Sequence, residues 1–322
     1  MSDATLVRGR SENRITLAAA AAAGEVRQGP DGRALVLGGQ NAYAAGDTVN
    51  FTDTGKFTMP KTASIVLLNG LRAYWDYSAG KVHYKKVNDR DFYLGRVVGD
   101  AASADTECVV DLNVDPPYDL DLARDPFTST PVGTQAVGGF GYPRRLGGSH
   151  GFYITATNEA QKIDAISVDG FSKDANAIIE FAIRMPNGGS GSASDFSVGV
   201  VNATHATDAD SITDSLLMHL DGGSTNICFE SDDGTTEVNA TDSTLDFTAG
   251  VTPAERFEVW MDLRNPADVQ IYVNGALVLP SSVFNIDASV ATWKLFAHVE
   301  KTSGTETADM IVDWLRARFA KQ

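Results

Sequence analysis

Histidines and one serine motif are the first residues of this sequence whose types could do chemistry. Gly147 to Gly151 reads Gly-Gly-Ser-His-Gly, which matches the Gly-x-Ser-x-Gly pattern of nucleophilic serines. That pattern works on a tight turn between a strand and a helix, whereas the residues that follow, Phe152 to Ile154, are typical of a strand. We therefore expect a glycine-rich loop there. The histidines show no His-x-His or His-x3-His spacing, so no short-range metal site is predicted; they are His83, His150, His205, His219 and His298.

Paired carboxylates are the second group to weigh. Glu258 and Asp262 are four positions apart on one predicted strand, so they share a face at a separation of roughly 13 Å. Glycosidases place two carboxylates about 5–9 Å apart, so solvated strand positions are favoured here. The runs Asp221-Gly222-Gly223 and Asp232-Asp233-Gly234 indicate turns first and calcium ligands second.

Phosphate-binding and catalytic motifs are not predicted. Gly55-Lys56 and Gly80-Lys81 both lack the leading glycine and the trailing Ser or Thr of a phosphate-binding loop. The segment Asp119 to Asp125 has Ala123 and Arg124 where a calcium loop needs an acidic or amide residue and glycine. The sequence therefore predicts no catalytic residue, no metal, no cofactor and no enzymatic activity.

Charge divides the chain into two unlike parts. The 322 residues carry a formal net charge of −16, and 43% of them are hydrophobic, enough for a sizeable core. Residues 1–115 hold 13 basic against 14 acidic side chains, whereas residues 116–322 hold 13 against 28. An acidic C-terminal part is a poor partner for nucleic acid, which needs clustered Lys and Arg. The apolar runs are too short for a membrane span, and Cys108 and Cys228 are expected to be reduced.

The N-terminal part of the sequence consists of short β-runs separated by turns that contain glycine. The run Ser64–Leu68, an Asn69-Gly70 turn and the run Leu71–Tyr77 predict a hairpin. In its second strand Trp75 and Tyr77 share a face with Leu71 and Ala73, so both are candidates for the core or for an interface in a trimer. The spacing of the strands indicates an all-β fold with a small N-terminal barrel or sandwich.

These turns and strands also resemble a known family. The order of Gly55, Pro60-Lys61, the β-run and Tyr74-Trp75-Asp76, with closing strands Phe92–Val98 and Glu107–Val114, is similar to the capsid cement or head decoration proteins of tailed bacteriophages. The resemblance covers about residues 1–115. It implies that this part binds the major capsid protein on the outside of an assembled head, as a homotrimer.

The remainder of the chain divides into a linker and a second β-domain. Residues 116–150 are rich in Pro and Gly and predict a linker, and residues 151–322 predict an acidic sandwich. The pair Phe257–Leu263 and Val269–Gly275, together with the final strand Met310–Arg316, resembles the concanavalin A-like or laminin-G-like jelly roll. That resemblance implies a fold that serves lectins, hydrolases and scaffolds alike.

The sequence therefore favours a decoration protein of the outer capsid surface, made in the host cytoplasm. An N-terminal arm with Arg8, Arg10 and Arg14 is expected either to contact acidic groups of the lattice or to be a frayed terminus. The acidic sandwich would face outward, without membrane insertion, and could adhere to host glycans. A tail or fibre glycan-binding protein is the first alternative, and a polysaccharide depolymerase is the second.

Overall fold

A computed structural model describes residues 14–39, 41–129, 132–133, 144–146, 149–187, 194–206, 208–221, 223–248 and 255–319. The chain divides into two compact units, Met1–Pro117 and Tyr118–Gln322. Within the described ranges the only helical segment is one 3₁₀ turn, Lys173–Ala175, so the all-β prediction is confirmed. None of the helical structure in those ranges is long and apolar enough to cross a membrane.

The N-terminal unit contains two antiparallel sheets. Its strands are β1 (Arg14–Thr16), β2 (Val26–Gln28), β3 (Ala34–Leu37), β4 (Thr48–Thr52), β5 (Lys56–Pro60), β6 (Arg72–Asp76), β7 (Lys81–His83), β8 (Phe92–Val98) and β9 (Glu107–Leu112). The smaller sheet has the order β1-β4-β3-β2, and the larger has the order β5-β9-β8-β6-β7. A bridge between Lys61 and Val82 joins the two edges of the larger sheet, so that sheet closes nearly into a barrel.

Asn113 links the two sheets of this unit. Its side-chain oxygen accepts from the amide of Ala34 at 2.9 Å, and its amide nitrogen donates to the carbonyls of Ala34 at 2.8 Å and Asp53 at 2.7 Å. Asparagine suits this place because its φ of 56° lies in the left-handed region, which short polar side chains tolerate. One side chain therefore satisfies three backbone groups between the sheets.

The predicted hairpin through Asn69-Gly70 is wrong, although the turn itself forms. Ser64–Leu68 is not a strand, and β6 pairs with β7 and β8 instead. Lys61, 1% exposed, explains the difference, because its ammonium donates to the carbonyls of Thr62 at 3.0 Å and Ile65 at 2.7 Å. Elsewhere in the run, the Ser64 amide donates to Ser103 and Leu67 forms an isolated bridge with Ala101, so these backbone groups are satisfied without a continuous strand ladder.

The C-terminal unit is a sandwich of two antiparallel sheets. Its strands are β10 (Leu120–Asp121), β11 (Phe127–Thr128), β12 (Arg144–Leu146), β13 (Ser149–Ile154), β14 (Gln161–Ser167), β15 (Ala177–Asn187), β16 (Ser194–Val201), β17 (Ser215–Leu220), β18 (Asn226–Asp232), β19 (Glu237–Asp246), β20 (Arg256–Asp262), β21 (Gln270–Val273), β22 (Ala276–Val278), β23 (Lys294–Lys301) and β24 (Ala308–Phe319). One sheet, here sheet F, has the order β12-β13-β24-β15-β20-β21-β22 with β10 beside β24. The other, sheet G, has the order β11-β14-β23-β16-β17-β18-β19. Alternate residues of both sheets meet in one apolar core, for example Phe181, Val259, Met218 and Leu295.

The predicted linker over residues 116–150 is wrong over its described part. Leu120 and Asp121 pair with Ala317 and Arg316 of β24, and Phe127–Thr128 pairs with β14. Leu122 is 1% exposed and belongs to the sandwich core. A Pro-rich composition excludes long ladders but still allows two-residue edge strands, which is the form these segments take.

Candidate functional site

The predicted basic arm falls only partly within the described residues. Arg14 is exposed on β1, and its Nε donates to the side-chain oxygen of Asn50 on β4 at 3.2 Å. Arg8 and Arg10 lie outside the described residues. A capsid-contact role for the three arginines stays a prediction.

Trp75 and Tyr77 lie in different surroundings. Trp75 is 8% exposed and sits in β6 opposite Val82 and Phe92. Tyr77 is 44% exposed, so its placement in the core of the single chain is wrong. The reason is that β6 ends at Asp76 and Tyr77 lies in the turn that follows. The alternation of faces that places Ala73 and Trp75 inside therefore does not extend to Tyr77. A role for Tyr77 between copies of the chain stays a prediction.

Tyr77 belongs to a basic surface that sequence reasoning missed. We call it the basic tip and define it by six side chains that are exposed or half-buried around β7: Tyr77, Lys81, Lys85, Lys86, Val87 and Arg90. The Arg90 guanidinium lies 3.7 Å from the centre of the Tyr77 ring, and the Lys85 ammonium lies 5.3 Å from the Tyr84 ring. Asp89 is the one exposed carboxylate between positions 77 and 91, all of which are described.

Two inward-facing aspartates hold the tip in shape. Asp91, 2% exposed, accepts from the amides of Tyr77, Val87 and Asn88 at 2.7–2.9 Å. Asp76 accepts from the hydroxyl of Ser78 at 2.7 Å and from its amide at 2.9 Å, and these bonds lower the pKa of Asp76. Both carboxylates therefore face hydrogen-bond donors within the tip, so the charge that the tip presents to solvent is positive.

Aromatic and charged side chains cover the outer face of sheet F. Arg256 pairs with Glu258 at 2.9 Å, Arg264 pairs with Asp262 at 2.6 Å, and the Arg256 guanidinium lies 4.1 Å from the centre of the Trp314 ring. The predicted solvated positions Glu258 and Asp262 are in fact 7% and 8% exposed. Burial of these carboxylates is possible because each has an arginine partner.

Three further ion pairs lie on the same sheet. Asp313 accepts from Arg184 at 2.6 Å, Arg316 pairs with Asp121 at 3.0 Å, and buried Arg318 pairs with buried Glu180. Each of these carboxylates is thus engaged by an arginine of the same sheet.

The outer face of sheet G carries a second polar cluster, centred on His219. Leu216, Met218 and Leu220 of β17 enter the sandwich core, so His219 lies on the opposite face. It is 1% exposed, with Nε2 donating to Asp221 at 2.6 Å and Nδ1 at 3.0 Å from Asp210. Ser197 of β16 lies 3.2 Å from the same Nδ1.

His219 is a charged imidazolium in this arrangement. Burial works to lower its pKa, but the hydrogen bond and charge of Asp210, the charge of Glu230 and the hydrogen bond of Asp221 outweigh it and raise the pKa to about 10. Donation from both ring nitrogens requires both protons. We call Asp210, His219 and Asp221 the histidine clamp.

Glu230 is the carboxylate beside this clamp. It is 8% exposed on β18, and its Oε1 has no hydrogen-bond partner among the described residues. Burial raises its pKa to about 7, against the attraction of His219 and with the repulsion of Asp210, Asp221 and Asp208. The cluster therefore carries more negative charge than one imidazolium neutralises.

The ligand atoms of the clamp lie within 4.8 Å of one another, a spacing that a metal ion could bridge. Binding there would require the imidazolium to lose a proton and to break a hydrogen bond to a carboxylate. The geometry therefore favours a hydrogen-bonded clamp over a metal centre.

The serine motif forms no nucleophile. Ser149 begins β13 after the strand Arg144–Leu146, and its hydroxyl donates to Asp313 at 2.9 Å. A strand follows it and Asp313 is held by Arg184, so the strand-to-helix turn of a nucleophilic serine is not formed.

One family matches the sequence. Residues 10–112 match the phage cement protein family. No curated protein matches the chain.

Solved structures of similar fold cover more than half of the chain. They include the Emp46p carbohydrate recognition domain in its potassium-bound form (11% identity, TM-score 0.37, 61% of this chain and 89% of that one). A second is a structure from work on endo-acting O-glycanases of the human gut microbiota (13% identity, TM-score 0.41, 57% of this chain and 85% of that one). A third is a glycosyl hydrolase family protein from Mycobacterium fortuitum (13% identity, TM-score 0.38, 63% of this chain and 100% of that one).

The family match lies entirely inside Met1–Pro117. The resemblance found in the turns and strands of that segment is thereby confirmed. The N-terminal unit thus contains the segment, residues 10–112, that is similar to the phage cement protein family.

Proposed function

We propose that the protein decorates the outer surface of an assembled bacteriophage head, binding the major capsid protein through its N-terminal unit and stabilising the shell. The observation that carries the proposal is the family match, which spans residues 10–112 and ends within a few residues of the unit's boundary at Pro117. The C-terminal sandwich, with the larger share of the acidic residues, faces outward.

Stabilisation works by bridging neighbouring capsid subunits. A decoration protein that contacts several subunits at once is held by effective concentration, so each single contact can be modest. A homotrimer at three-fold positions of the lattice suits this task because it offers three identical contacts. Repulsion between the acidic sandwiches, 28 acidic against 13 basic residues over 116–322, keeps particles apart and soluble.

The sandwich is proposed to be non-enzymatic, with weak glycan adhesion as its additional role. Support comes from Glu258 and Asp262, which are 7% and 8% exposed and are each paired with an arginine, so both carboxylates are engaged within the protein. Purified protein would be incubated with host envelope polysaccharides while retention and new reducing ends are measured. Retention without cleavage agrees with adhesion, and reducing ends that vanish in Glu258→Gln would contradict the proposal.

The central test uses heads that lack decoration. The full chain should saturate them in hundreds of copies per particle, measured on a stained gel of purified particles. Residues 118–322 alone, with folding verified by a cooperative melt, should not bind. Equal binding by that fragment would assign attachment to the wrong unit, and a handful of copies per particle would favour a tail or fibre adhesin.

A further inference from the structure

The basic tip combines three properties that distinguish it from the rest of the N-terminal unit. Tyr77 and Val87, at 44% and 50% exposed, are the only exposed large hydrophobic side chains in the described part of that unit. Both lie among cations, since four of the 13 Lys and Arg residues of positions 1–115 fall between Lys81 and Arg90. Among the described residues, Lys81, Lys86 and Arg90 form no ion pair with a carboxylate.

Its composition is that of a protein-binding surface. Tyrosine and arginine are the residues most often found at the energetic centre of protein interfaces. The stacking of Arg90 on Tyr77 holds both side chains in place before binding, which lowers the entropic cost of ordering them.

The backbone beneath these side chains is also fixed. Asp91 ties the amide of Tyr77 to those of Val87 and Asn88, and the Asn88 side chain donates to Ser78 at 3.2 Å. The turn after β6 and the loop before β8 therefore form one surface rather than two independent loops. Protein binding through such a surface needs little backbone rearrangement.

We infer that the basic tip is the surface by which the N-terminal unit contacts the capsid, and that its partner is a protein surface bearing carboxylates with room for an apolar side chain. This inference rests on the proposed function and adds the face and the chemistry of the partner. Charge complementarity requires the carboxylates, and Tyr77 with Val87 requires the apolar component.

A nucleic-acid partner is disfavoured by the same residues. Exposed Val87 and Asp89 lie between Lys86 and Arg90 in the sequence, and a phosphate backbone would gain from contact with neither. His83 adds no charge at neutral pH, because burial and the neighbouring Lys85 lower its pKa.

The test measures binding of the full chain to undecorated heads. In Lys86→Glu/Arg90→Glu, two cations are reversed on the tip, and affinity at low salt should fall by at least about tenfold, as for charge pairs at interfaces. The salt dependence of the remaining binding should flatten. Tyr77→Ser should weaken binding at all salt concentrations.

A matched control is available in the same unit. Lys56 is an exposed cation on β5, outside the tip, and Lys56→Glu should change affinity by less than about twofold, while Lys86→Glu alone weakens it clearly. Thermal melts of all variants establish that they are folded, since each changed side chain is exposed.

The outcomes separate the inference from the proposed function. If the wild-type chain does not bind heads, the proposed function fails and the inference fails with it. If the wild type binds and Lys86→Glu/Arg90→Glu binds equally well, the tip is not the contact, but the proposed function stands. The inference would also be overturned if Lys86→Glu/Arg90→Glu lost self-association but bound heads as well as the wild type. Binding of double-stranded DNA by the tip at physiological salt would overturn it too.

Discussion

Replacement of Glu230 by glutamine should stabilise the C-terminal sandwich increasingly as pH rises from 4.5 to 7, and it should have little effect on stability at pH 4.5 and below. The folded sandwich holds the Glu230 pKa at about 7, compared with an ordinary value near 4.5. A folded-state pKa above the unfolded one means that the folded protein binds more protons between these values, so stability falls as pH rises from 4.5 to 7. Glutamine has the shape of the protonated acid and does not ionise.

The magnitude follows from the size of the shift. At about 1.4 kcal/mol per pKa unit, ionisation of Glu230 costs the folded sandwich on the order of 3 kcal/mol at pH 8. The charge of His219 already reduces that cost, since it lowers the pKa of Glu230. His219, with a raised pKa of about 10, stabilises the sandwich fully below pH 6.5, and this contribution declines above that value and is lost as pH passes 10. The pH range over which Glu230 changes stability, 4.5 to 7, therefore overlaps little with the range for His219, 6.5 to 10.

The assay needs a signal from the sandwich alone. Three of the chain's four tryptophans, Trp260, Trp293 and Trp314, lie in that unit, so Trp75→Phe makes tryptophan fluorescence specific to it. Urea unfolding in this background at pH 4.5, 6, 7 and 8 would give the free energy of unfolding with and without Glu230→Gln.

The expected difference between the two proteins grows from near zero at pH 4.5 to about 3 kcal/mol at pH 8. Glu237→Gln, which removes an exposed carboxylate from β19, should alter stability by less than about 0.5 kcal/mol at every pH. Parallel curves for wild type and Glu230→Gln would refute the assignment of a buried, uncompensated carboxylate.

Three further outcomes are expected. Trp75→Ala should lower the stability of the N-terminal unit by roughly 3–5 kcal/mol in denaturant unfolding, because the ring is 8% exposed, and a change as small as that of Tyr77→Ala would contradict its burial. Arg318→Met should cost the sandwich about 3–5 kcal/mol by leaving Glu180 buried without its arginine, and Glu180→Gln added to it should recover most of that loss; no recovery would mean that packing, not charge, is responsible. Replacement of Arg8, Arg10 and Arg14 by alanine should weaken head binding and reduce its salt dependence, whereas unchanged binding at low salt would return the arm to a frayed terminus.

Local pattern was sufficient for most of the sandwich strands. The predicted run Phe257–Leu263 corresponds to β20, the run Val269–Gly275 contains β21, and the final run Met310–Arg316 lies inside β24. Alternation of buried and solvent-facing side chains is a property of neighbouring residues, so it can be read without knowing the partner strand. The burial of Trp75 followed from the same alternation along β6.

Pairing and burial of charge depended on residues far apart in the chain. The run Ser64–Leu68 had strand composition, but Lys61 bonds to the carbonyl of Ile65, Leu67 pairs with distant Ala101, and β6 pairs with β7 and β8. Residues 118–128 had linker composition, yet β24, nearly 200 positions away, supplies the partner of Leu120. The composition of a segment does not indicate which distant strand it will pair with.

The functional surfaces divide in the same way. The cations from Lys81 to Arg90 are close in the sequence, but the surface they form was not predicted, because it depends on Asp76 and Asp91 turning inward to hydrogen-bond donors of the same loops. The histidine clamp unites Asp210 of a loop with His219 of β17 and with Asp221, which directly follows that strand, and Glu230 lies beside it on the neighbouring strand. The sequence alone determined the β-architecture, the resemblance of the N-terminal part and the unequal charge, because these are local or summed properties. Only the tertiary structure decided which charges are buried, paired or presented, because those depend on the low dielectric and the distant partners that folding brings together.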